Sequence, residues 1–215
     1  MDVKGAIFEV DGTLLDSMYV WDRAGENYLR RVGITPRPGV NEEFKNQSLY
    51  QAARYLQKVW KVTGDVKEIM ADINKMIEED YFERVGLKEG TEHFLRKLKE
   101  RGVKMCLATA TDRHLVEAAL RRNGIEDYFS CMLTCTEVGH GKDEPVIFQR
   151  ALEELGTESE QTIIFEDALY AVKTAKKAGF LVAAVKDSSE EKQADLQRLA
   201  DFYFENFEQA EEILK

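Results

Sequence analysis

Short apolar runs of strand length recur along this chain, and segments with helical periodicity separate most of them. The runs cover residues 3–8, 103–108, 130–134, 162–165, 180–185 and 202–204. Helical spacing is visible between them, for example in Ile147, Ala151, Leu152 and Leu155. Because strand and helix alternate, the sequence predicts the α/β class, with a doubly wound parallel sheet that carries helices on both faces.

Residues 17–86 interrupt this alternation with one helical pattern after another. Three apolar stripes lie there: Trp21, Gly25, Tyr28, Leu29 and Val32; Leu49, Ala52, Ala53, Leu56 and Trp60; and Ile69, Ile73, Met76 and Ile77. We therefore predict an inserted all-helical cap domain over 17–86 and an α/β core formed by 1–16 and 87–215. The length of 215 residues suits one domain with an insertion.

The charge and hydropathy of the chain exclude several classes of partner. A net charge of −10 argues against nucleic acid, because neutralising phosphates requires a basic surface. The charge also repels anionic substrates at long range, so local positive groups must capture them. No stretch approaches the roughly 20 apolar residues that span a bilayer, and no secretory signal pattern opens the chain. We expect a cytoplasmic protein without a membrane partner, and a monomer.

Three cysteines, Cys106, Cys131 and Cys135, lie in or beside apolar runs. Buried free cysteines usually behave as small apolar residues. We expect all three to be reduced core residues.

Acidic residues stand at the end of the first apolar run. Glu9 and Asp11 are two residues apart, so on a strand they point to the same face. Gly12 follows and permits a sharp turn close to a ligand. Two neighbouring carboxylates need a cation or a shared proton, so this turn is a candidate site.

Further polar residues end other apolar runs. Thr109 follows the run at 103–108, and Glu166 and Asp167 follow the run at 162–165. In an open α/β sheet, ligands bind at the carboxyl ends of the strands, so these residues should converge with Glu9 and Asp11. Taken singly, an acid there is more often a solvated loop residue or a helix cap.

The chemistry of these residues suits a divalent cation and a phosphate. Carboxylates favour a hard cation such as Mg²⁺, which takes one or two of them together with phosphate and water. Phosphate would find donors in the Lys142 ammonium, the Thr109 hydroxyl and the backbone N–H groups at Gly12 and Ala110. For Lys142 alone an exposed loop lysine is the simpler interpretation, and for Thr109 alone the simpler interpretation is helix capping or strand packing.

Four segments, in order, resemble the motifs of the haloacid-dehalogenase-like phosphohydrolases, in the helical-cap branch of β-phosphoglucomutase and phosphoglycolate phosphatase. They are Glu9-Val10-Asp11-Gly12-Thr13, like Asp-x-Asp-Gly-Thr; the apolar run ending at Thr109; Gly139-His140-Gly141-Lys142-Asp143-Glu144-Pro145, like Gly-Lys-Pro-Asp-Pro; and Phe165-Glu166-Asp167 with the helix after it. The resemblance implies a Rossmann-like core, a helical cap and a phosphatase that acts on a small phosphorylated metabolite.

The resemblance also implies roles for individual residues. The first-motif acid, Glu9, would attack phosphorus and form an acyl-phosphate, while Asp11 would protonate the leaving alcohol and then activate water. Thr109 and Lys142 would complete the catalytic set. Mg²⁺ would be held by Glu9, the Asp11 carbonyl and Asp167, with Glu166 close by.

Glu9 departs from the family pattern, which has Asp at this position. Its extra methylene moves the carboxylate by roughly an ångström, a displacement that can cost about 100-fold in rate. Three explanations stay open: a natural variant with weak or shifted activity, a pseudoenzyme that binds phosphate without turnover, or a sequence altered to disable the nucleophile.

Other functions are weaker matches. A dehalogenase would not be expected to carry Asp11. A sugar-phosphate mutase of the same branch tends to carry a histidine early in the cap, where residues 16–21 have none, and an arginine in the cap loop, where only Lys45 is a candidate. A non-catalytic phosphate-binding module would have little reason to keep Asp11, Lys142 and Asp167. Zinc-ligand spacing, a serine-hydrolase elbow and a Walker loop are not found in the sequence.

Overall fold

A sheet of six parallel strands forms the centre of the protein. The computed structural model describes residues 2–44 and 47–214, and over these residues the chain forms eight strands. They are β1 (Gly5–Phe8), β2 (Leu15–Asp16), β3 (Gly86–Leu87), β4 (Lys104–Thr109), β5 (Cys131–Thr134), β6 (Thr162–Glu166), β7 (Leu181–Val185) and β8 (Phe202–Phe204). All except β2 and β3 belong to the central sheet, in the order β5-β4-β1-β6-β7-β8 with parallel neighbours. Each predicted strand run overlaps one strand of this sheet.

Helices connect these strands. Over the same described residues they are α1 (Met18–Trp21), α2 (Ala24–Arg31), α3 (Leu49–Trp60), α4 (Val66–Glu83), α5 (Thr91–Glu100), α6 (Arg113–Arg122), α7 (Cys135–Val138), α8 (Val146–Leu155), α9 (Leu169–Lys177) and α10 (Gln193–Leu199). None of them is long and apolar enough to cross a membrane.

Alternate residues of the central strands bury against opposite layers of helices. Ala6 and Phe8 of β1 join one apolar cluster, which includes residues of α5 and α6, whereas Ile7 joins a second cluster with residues of α8 and α9. This separation follows from the two-residue period of a strand. The Phe8 ring also stacks on Phe165 of β6, with ring centroids 4.5 Å apart. The predicted doubly wound α/β sheet is confirmed.

Helices α1–α4 follow one another between β2 and β3, as the predicted helical insertion requires. Strands β2 and β3 pair antiparallel, with Leu15 opposite Leu87 and Asp16 opposite Gly86, so the chain leaves and re-enters the core at one place. Residues of α2, α3 and α4 bury an apolar cluster of their own. The domain limits, 1–16 with 87–215 for the core and 17–86 for the cap, stay a prediction. Lys45, the candidate in the cap loop, lies outside the described residues.

Capping boxes begin the two longest helices of the insertion. The Ser48 side chain accepts from the Gln51 N–H at the start of α3, while the Gln51 side chain accepts from the Ser48 N–H. Asp65 and Glu68 make the same reciprocal pair at the start of α4. These pairs satisfy backbone donors that the first turn of a helix leaves without partners.

The first apolar stripe of the insertion is divided between two helices. Trp21 ends α1, whereas Tyr28 and Leu29 lie on α2 after a turn. The division has a packing reason, because Val20 of α1 buries against the core cluster while Tyr28 and Leu29 bury inside the insertion. The residues of this stripe therefore lie on two helices, although they share one helical periodicity in the sequence.

The expectation that all three cysteines are reduced is also wrong. The parallel ladder places Cys106 of β4 directly opposite Cys131 of β5, with Cα atoms 4.8 Å apart, and the two form a disulfide. This register cannot be read from residues that are 25 positions apart in sequence. Cys135 is free and buried, and burial raises the pKa of its thiol to about 12.

Candidate active site

The carboxyl ends of β1, β4 and β6 meet at one edge of the sheet, beneath the helices of the insertion. A cavity of about 900 Å³ lies between the two parts. Core residues that line it include Glu9, Asp11, Ala110, Glu166 and Asp167. Apolar side chains of the insertion line the opposite side, among them Met18, Trp21, Phe44, Leu56 and Ile73. Residues distant in sequence therefore converge as the strand positions predict.

Glu9 continues the line of β1, with its N–H donating to the Phe165 carbonyl at 3.0 Å. Its carboxylate is held on both oxygens. Oε1 accepts from the Thr109 hydroxyl at 2.6 Å and from the Val10 N–H at 2.8 Å, and Oε2 accepts from the Lys142 ammonium. Glu9 lines the cavity, whereas Thr109 and Lys142 lie behind it. The Glu9 carboxylate thus separates the cavity from the two groups predicted to bind phosphate.

Lys142 is a buried cation between two carboxylates. It is 2% exposed, and its Nζ also donates to Glu166 Oε1 at 2.7 Å. Burial disfavours the charged amine, but the Glu166 and Glu9 carboxylates outweigh this and raise the pKa of Lys142. The side chain therefore stays an ammonium group, as phosphate binding requires.

Asp11 is held by three hydroxyl groups. Oδ1 accepts from Ser17 Oγ at 2.5 Å and from Tyr81 Oη, and Oδ2 accepts from Thr111 Oγ1 at 2.6 Å. Burial and the nearby Glu9 carboxylate raise the pKa of Asp11, and the hydroxyl donors oppose that rise. A raised pKa suits a group that must donate a proton.

Glu166 and Asp167 end β6 and lead into α9. Glu166 Oε2 accepts from the N–H groups of Asp167 and Ala168, both at 2.8 Å. These amides precede α9, so Glu166 holds the turn before the helix and does not cap it. Asp167 Oδ1 accepts from Thr13 Oγ1 at 2.8 Å. Burial raises the pKa of both acids, and for Asp167 the Glu166 and Glu9 carboxylates raise it further.

Gly12 makes the turn after the first-motif acids. Its φ of +74° favours glycine, and a Cβ there would overlap Asp167 Oδ2. The Gly12 N–H donates to the Leu15 carbonyl at 3.0 Å within the turn. A phosphate contact from this amide, as predicted, would require the turn to change.

Sequence reasoning missed the residues that support this turn and Asp11. Lys88 Nζ donates to the Gly12 carbonyl at 2.7 Å, to the Lys186 carbonyl at 2.6 Å and to Asp187 Oδ2 at 2.8 Å. No spacing in the sequence points to Lys88. For Tyr81 a signal exists, since it continues the α4 apolar stripe four residues after Ile77.

The donor chemistry of the site fits Mg²⁺. The carboxylates of Glu9, Asp11, Glu166 and Asp167 are all buried, and Lys142 pairs with two of them, Glu9 and Glu166. Repulsion from Glu166 and Glu9 contributes to the raised pKa of Asp167. All these carboxylates are hard oxygen donors. Among the described residues, no group of three or more acidic, His or Cys side chains is arranged so that it could hold a metal ion.

Known proteins resemble this chain in sequence and in fold. A model of the haloacid dehalogenase-like hydrolases matches residues 6–185. The phosphorylated carbohydrates phosphatase of Thermotoga maritima is 26% identical over 181 residues, 82% of each chain. The validoxylamine A 7'-phosphate phosphatase of Streptomyces hygroscopicus subsp. limoneus is 27% identical over 177 residues, again 82% of each chain. The crystal structure of CbbY from Rhodobacter sphaeroides in complex with phosphate shares the fold, with a TM-score of 0.80 at 22% identity, covering 95% of each chain.

Proposed function

The chain belongs to the haloacid dehalogenase-like hydrolase family, and from this membership we propose that it is a phosphatase that hydrolyses small phosphorylated metabolites. One observation carries the proposal: the acids Glu9, Asp11 and Asp167 meet Thr109 and Lys142 at one sheet edge beneath a cavity. The two curated relatives compared above are both named as phosphatases, which supports the same reaction class.

The proposed reaction has two steps. A Glu9 carboxylate oxygen attacks phosphorus, the bond to the substrate oxygen breaks, and Asp11 gives that oxygen a proton. Asp11 then takes a proton from water, whose oxygen attacks phosphorus; the bond between phosphorus and the Glu9 oxygen breaks, which releases inorganic phosphate and restores the Glu9 carboxylate. Lys142 and Thr109 supply the positive charge and the hydroxyl that bind phosphate oxygens.

Mg²⁺ is the cofactor we propose for this site. Glu9, the Asp11 carbonyl and Asp167 would hold it, with Glu166 nearby. When bound, it supplies positive charge that offsets both the buried carboxylates and the substrate phosphate.

Glu9 is expected to weaken the activity. Its carboxylate already contacts Thr109 Oγ1 and Lys142 Nζ, the two donors proposed for phosphate, and lies between them and the cavity. A substrate phosphate must displace this carboxylate before it can reach them. The contact therefore supports slow turnover in the Glu9 form.

The cavity supports a small-molecule substrate. Its volume of about 900 Å³ is within the range of ligand pockets, and apolar side chains of the insertion face the acidic edge. A phosphorylated metabolite would place its phosphate at that edge and its leaving group against the insertion. We also propose that the enzyme is monomeric and cytoplasmic, where the Cys106–Cys131 disulfide would have to persist in a reducing environment. Its net charge of −10 disfavours nucleic acid.

Phosphate release from a panel of phosphorylated metabolites would test the function. Wild type and Glu9→Asp are assayed with Mg²⁺ for free phosphate and for isomerised product, with Asp11→Asn as the control for contaminating phosphatases. Phosphate release that Asp11→Asn abolishes supports the proposal. Isomer formation without phosphate release would instead indicate a mutase. Phosphate binding without turnover, in both wild type and Glu9→Asp, would indicate a pseudoenzyme.

A further inference from the structure

Tyr81 lies on α4, far in sequence from the acids, yet its hydroxyl contacts the carboxylate of Asp11. We infer that Tyr81, oriented by Trp21, is a positioning residue that aims the Asp11 carboxylate for proton transfer to the leaving group. The inference rests on the proposed phosphatase function and adds to it a residue of the insertion.

The direction of the hydrogen bonds is determined by chemistry. The Trp21 indole can only donate, and its Nε1 donates to Tyr81 Oη at 2.7 Å. Because that oxygen accepts from Trp21, the single hydroxyl proton of Tyr81 is directed to Asp11 Oδ1. A chain of donors therefore runs from Trp21 through Tyr81 to Asp11, and such chains strengthen each member.

Tyr81 is placed to orient and not to react. It is 0% exposed, and its ring meets that of Trp21 edge-on with centroids 6.4 Å apart. Asp11 lines the cavity, whereas Tyr81 lies behind it among the buried core residues. Because packing fixes the ring, the Tyr81 hydroxyl has one position. The Asp11 carboxylate that accepts from it is thereby held in one orientation.

The other two donors to Asp11 come from different segments. Ser17 follows β2 directly and shares Oδ1 with Tyr81, while Thr111 follows β4 and takes Oδ2. Removing the Tyr81 hydroxyl leaves Oδ1 with Ser17 alone on that side, so the carboxylate can rotate. Tyr81→Phe keeps the ring and its packing but removes both hydrogen bonds of the hydroxyl, the one to Asp11 and the one from the Trp21 indole.

A misplaced general acid has a specific kinetic consequence. Expulsion of a poor leaving group needs a proton, whereas a good leaving group departs without one. Loss of positioning should therefore slow phenyl phosphate much more than 4-nitrophenyl phosphate. A general structural defect would slow both substrates alike.

The test compares kcat/KM for the two aryl phosphates, because kcat/KM reports the step in which the leaving group departs. Tyr81→Phe is made in the wild type and in the Glu9→Asp background. Tyr28→Phe is the matched control, since Tyr28 is a buried tyrosine of α2. General acids contribute about 10²- to 10⁴-fold, so partial misplacement should lower kcat/KM for phenyl phosphate about tenfold. 4-Nitrophenyl phosphate should change less than about twofold, and Tyr28→Phe should leave the ratio of the two unchanged.

Two outcomes would overturn the inference while leaving the proposed function intact: equal slowing of both substrates by Tyr81→Phe, or no slowing of either, in a parent enzyme that releases phosphate. If neither parent, wild type or Glu9→Asp, releases phosphate from an aryl phosphate or from the metabolite panel, the proposed function fails and the role of Tyr81 fails with it. A selective loss on phenyl phosphate supports both.

Discussion

The carboxylate of Glu9 and the ammonium group of Lys142 form a buried ion pair at the carboxyl end of β1, with side-chain exposures of 8% and 1%. Thr109 donates to the other oxygen of the same carboxylate. The longer side chain of glutamate therefore lies against the donors that a phosphate would need. This relationship makes position 9 the first target for experiment.

Replacing Glu9 with Asp should raise phosphatase activity strongly. The shorter side chain withdraws the carboxylate from Lys142 and Thr109 and restores the position from which it can attack. A correction of about 1 Å is worth on the order of 100-fold, so we expect kcat/KM for 4-nitrophenyl phosphate to rise about 100-fold. Glu9→Gln, which keeps the length and lacks the nucleophile, should be inactive. Equal rates for wild type and Glu9→Asp would refute this role for position 9.

Replacing Lys142 with Met should destabilise the fold. Glu9 and Glu166 would keep their buried positions without the cation between them, and breaking a buried ion pair costs about 3 to 5 kcal/mol. The free energy of unfolding, measured with urea, should fall by that amount. Lys173→Met is the control, because Lys173 lines the same cavity but is exposed, and its effect should stay within about 0.5 kcal/mol. A Lys142→Met protein as stable as wild type would show that the pair contributes no net stability.

Mg²⁺ should stabilise the protein, and more so at higher pH. Burial raises the pKa of Asp167 and Glu166 in the folded state. Folding therefore favours the protonated acids, and stability declines as pH rises from their ordinary pKa of about 4 through the raised values. Mg²⁺ binds the ionised acids, so the stabilisation that it provides should grow as pH rises over the same range.

Thermal unfolding with Mg²⁺ or with EDTA measures this effect. At about 100 times Kd, binding adds about 2.7 kcal/mol, which should raise Tm by about 5 °C or more near pH 8 and by less near pH 5. Asp167→Asn should reduce the shift. Identical melting curves with Mg²⁺ and with EDTA at both pH values would contradict the proposed cofactor.

Lys88 should be needed for stability although it is outside the catalytic set. The Lys88 ammonium contacts both the Gly12 carbonyl and the Asp187 carboxylate, and the side chains of Lys88 and Asp187 are largely buried. Lys88→Met should lower the free energy of unfolding by about 3 kcal/mol, measured with urea. Lys186→Met is a neighbouring control, since its ion pair with Glu205 is exposed and worth about 0 to 1 kcal/mol.

Acidification should remove the contribution of Asp187. Burial opposes ionisation of this acid, but the hydrogen bond from Lys88 and those from Ser189 prevail and lower its pKa. A lowered pKa contributes stability above the ordinary value of about 4, and that stability is lost as pH falls through the folded value. The difference in stability between wild type and Asp187→Asn should therefore shrink on acidification. A difference independent of pH would contradict the ion pair.

Thiol titration of the denatured protein tests the cysteine pairing. Without reductant it should give one free thiol, Cys135, and after reduction three. Cys135→Ser should give none without reductant. Three thiols in unreduced protein would show that Cys106 and Cys131 are not joined.

The fold class and the location of the acidic edge follow from the order of residues along the chain. Alternating strand and helix patterns specify a parallel sheet, and parallel strands bring their carboxyl ends together, so Glu9, Thr109 and Asp167 had to meet. These inferences need only local periodicity and chain order. Local patterns therefore predicted most of the candidate site.

The contacts that complete the site depend instead on how distant segments pack together. The pairing of Cys106 with Cys131 depends on strand register, and the contact of Tyr81 with Asp11 depends on how α4 docks on the core. The hydrogen bonds of Lys88 likewise join segments that sequence spacing does not relate. Register and docking arise from packing between distant segments, and local periodicity contains no information about either.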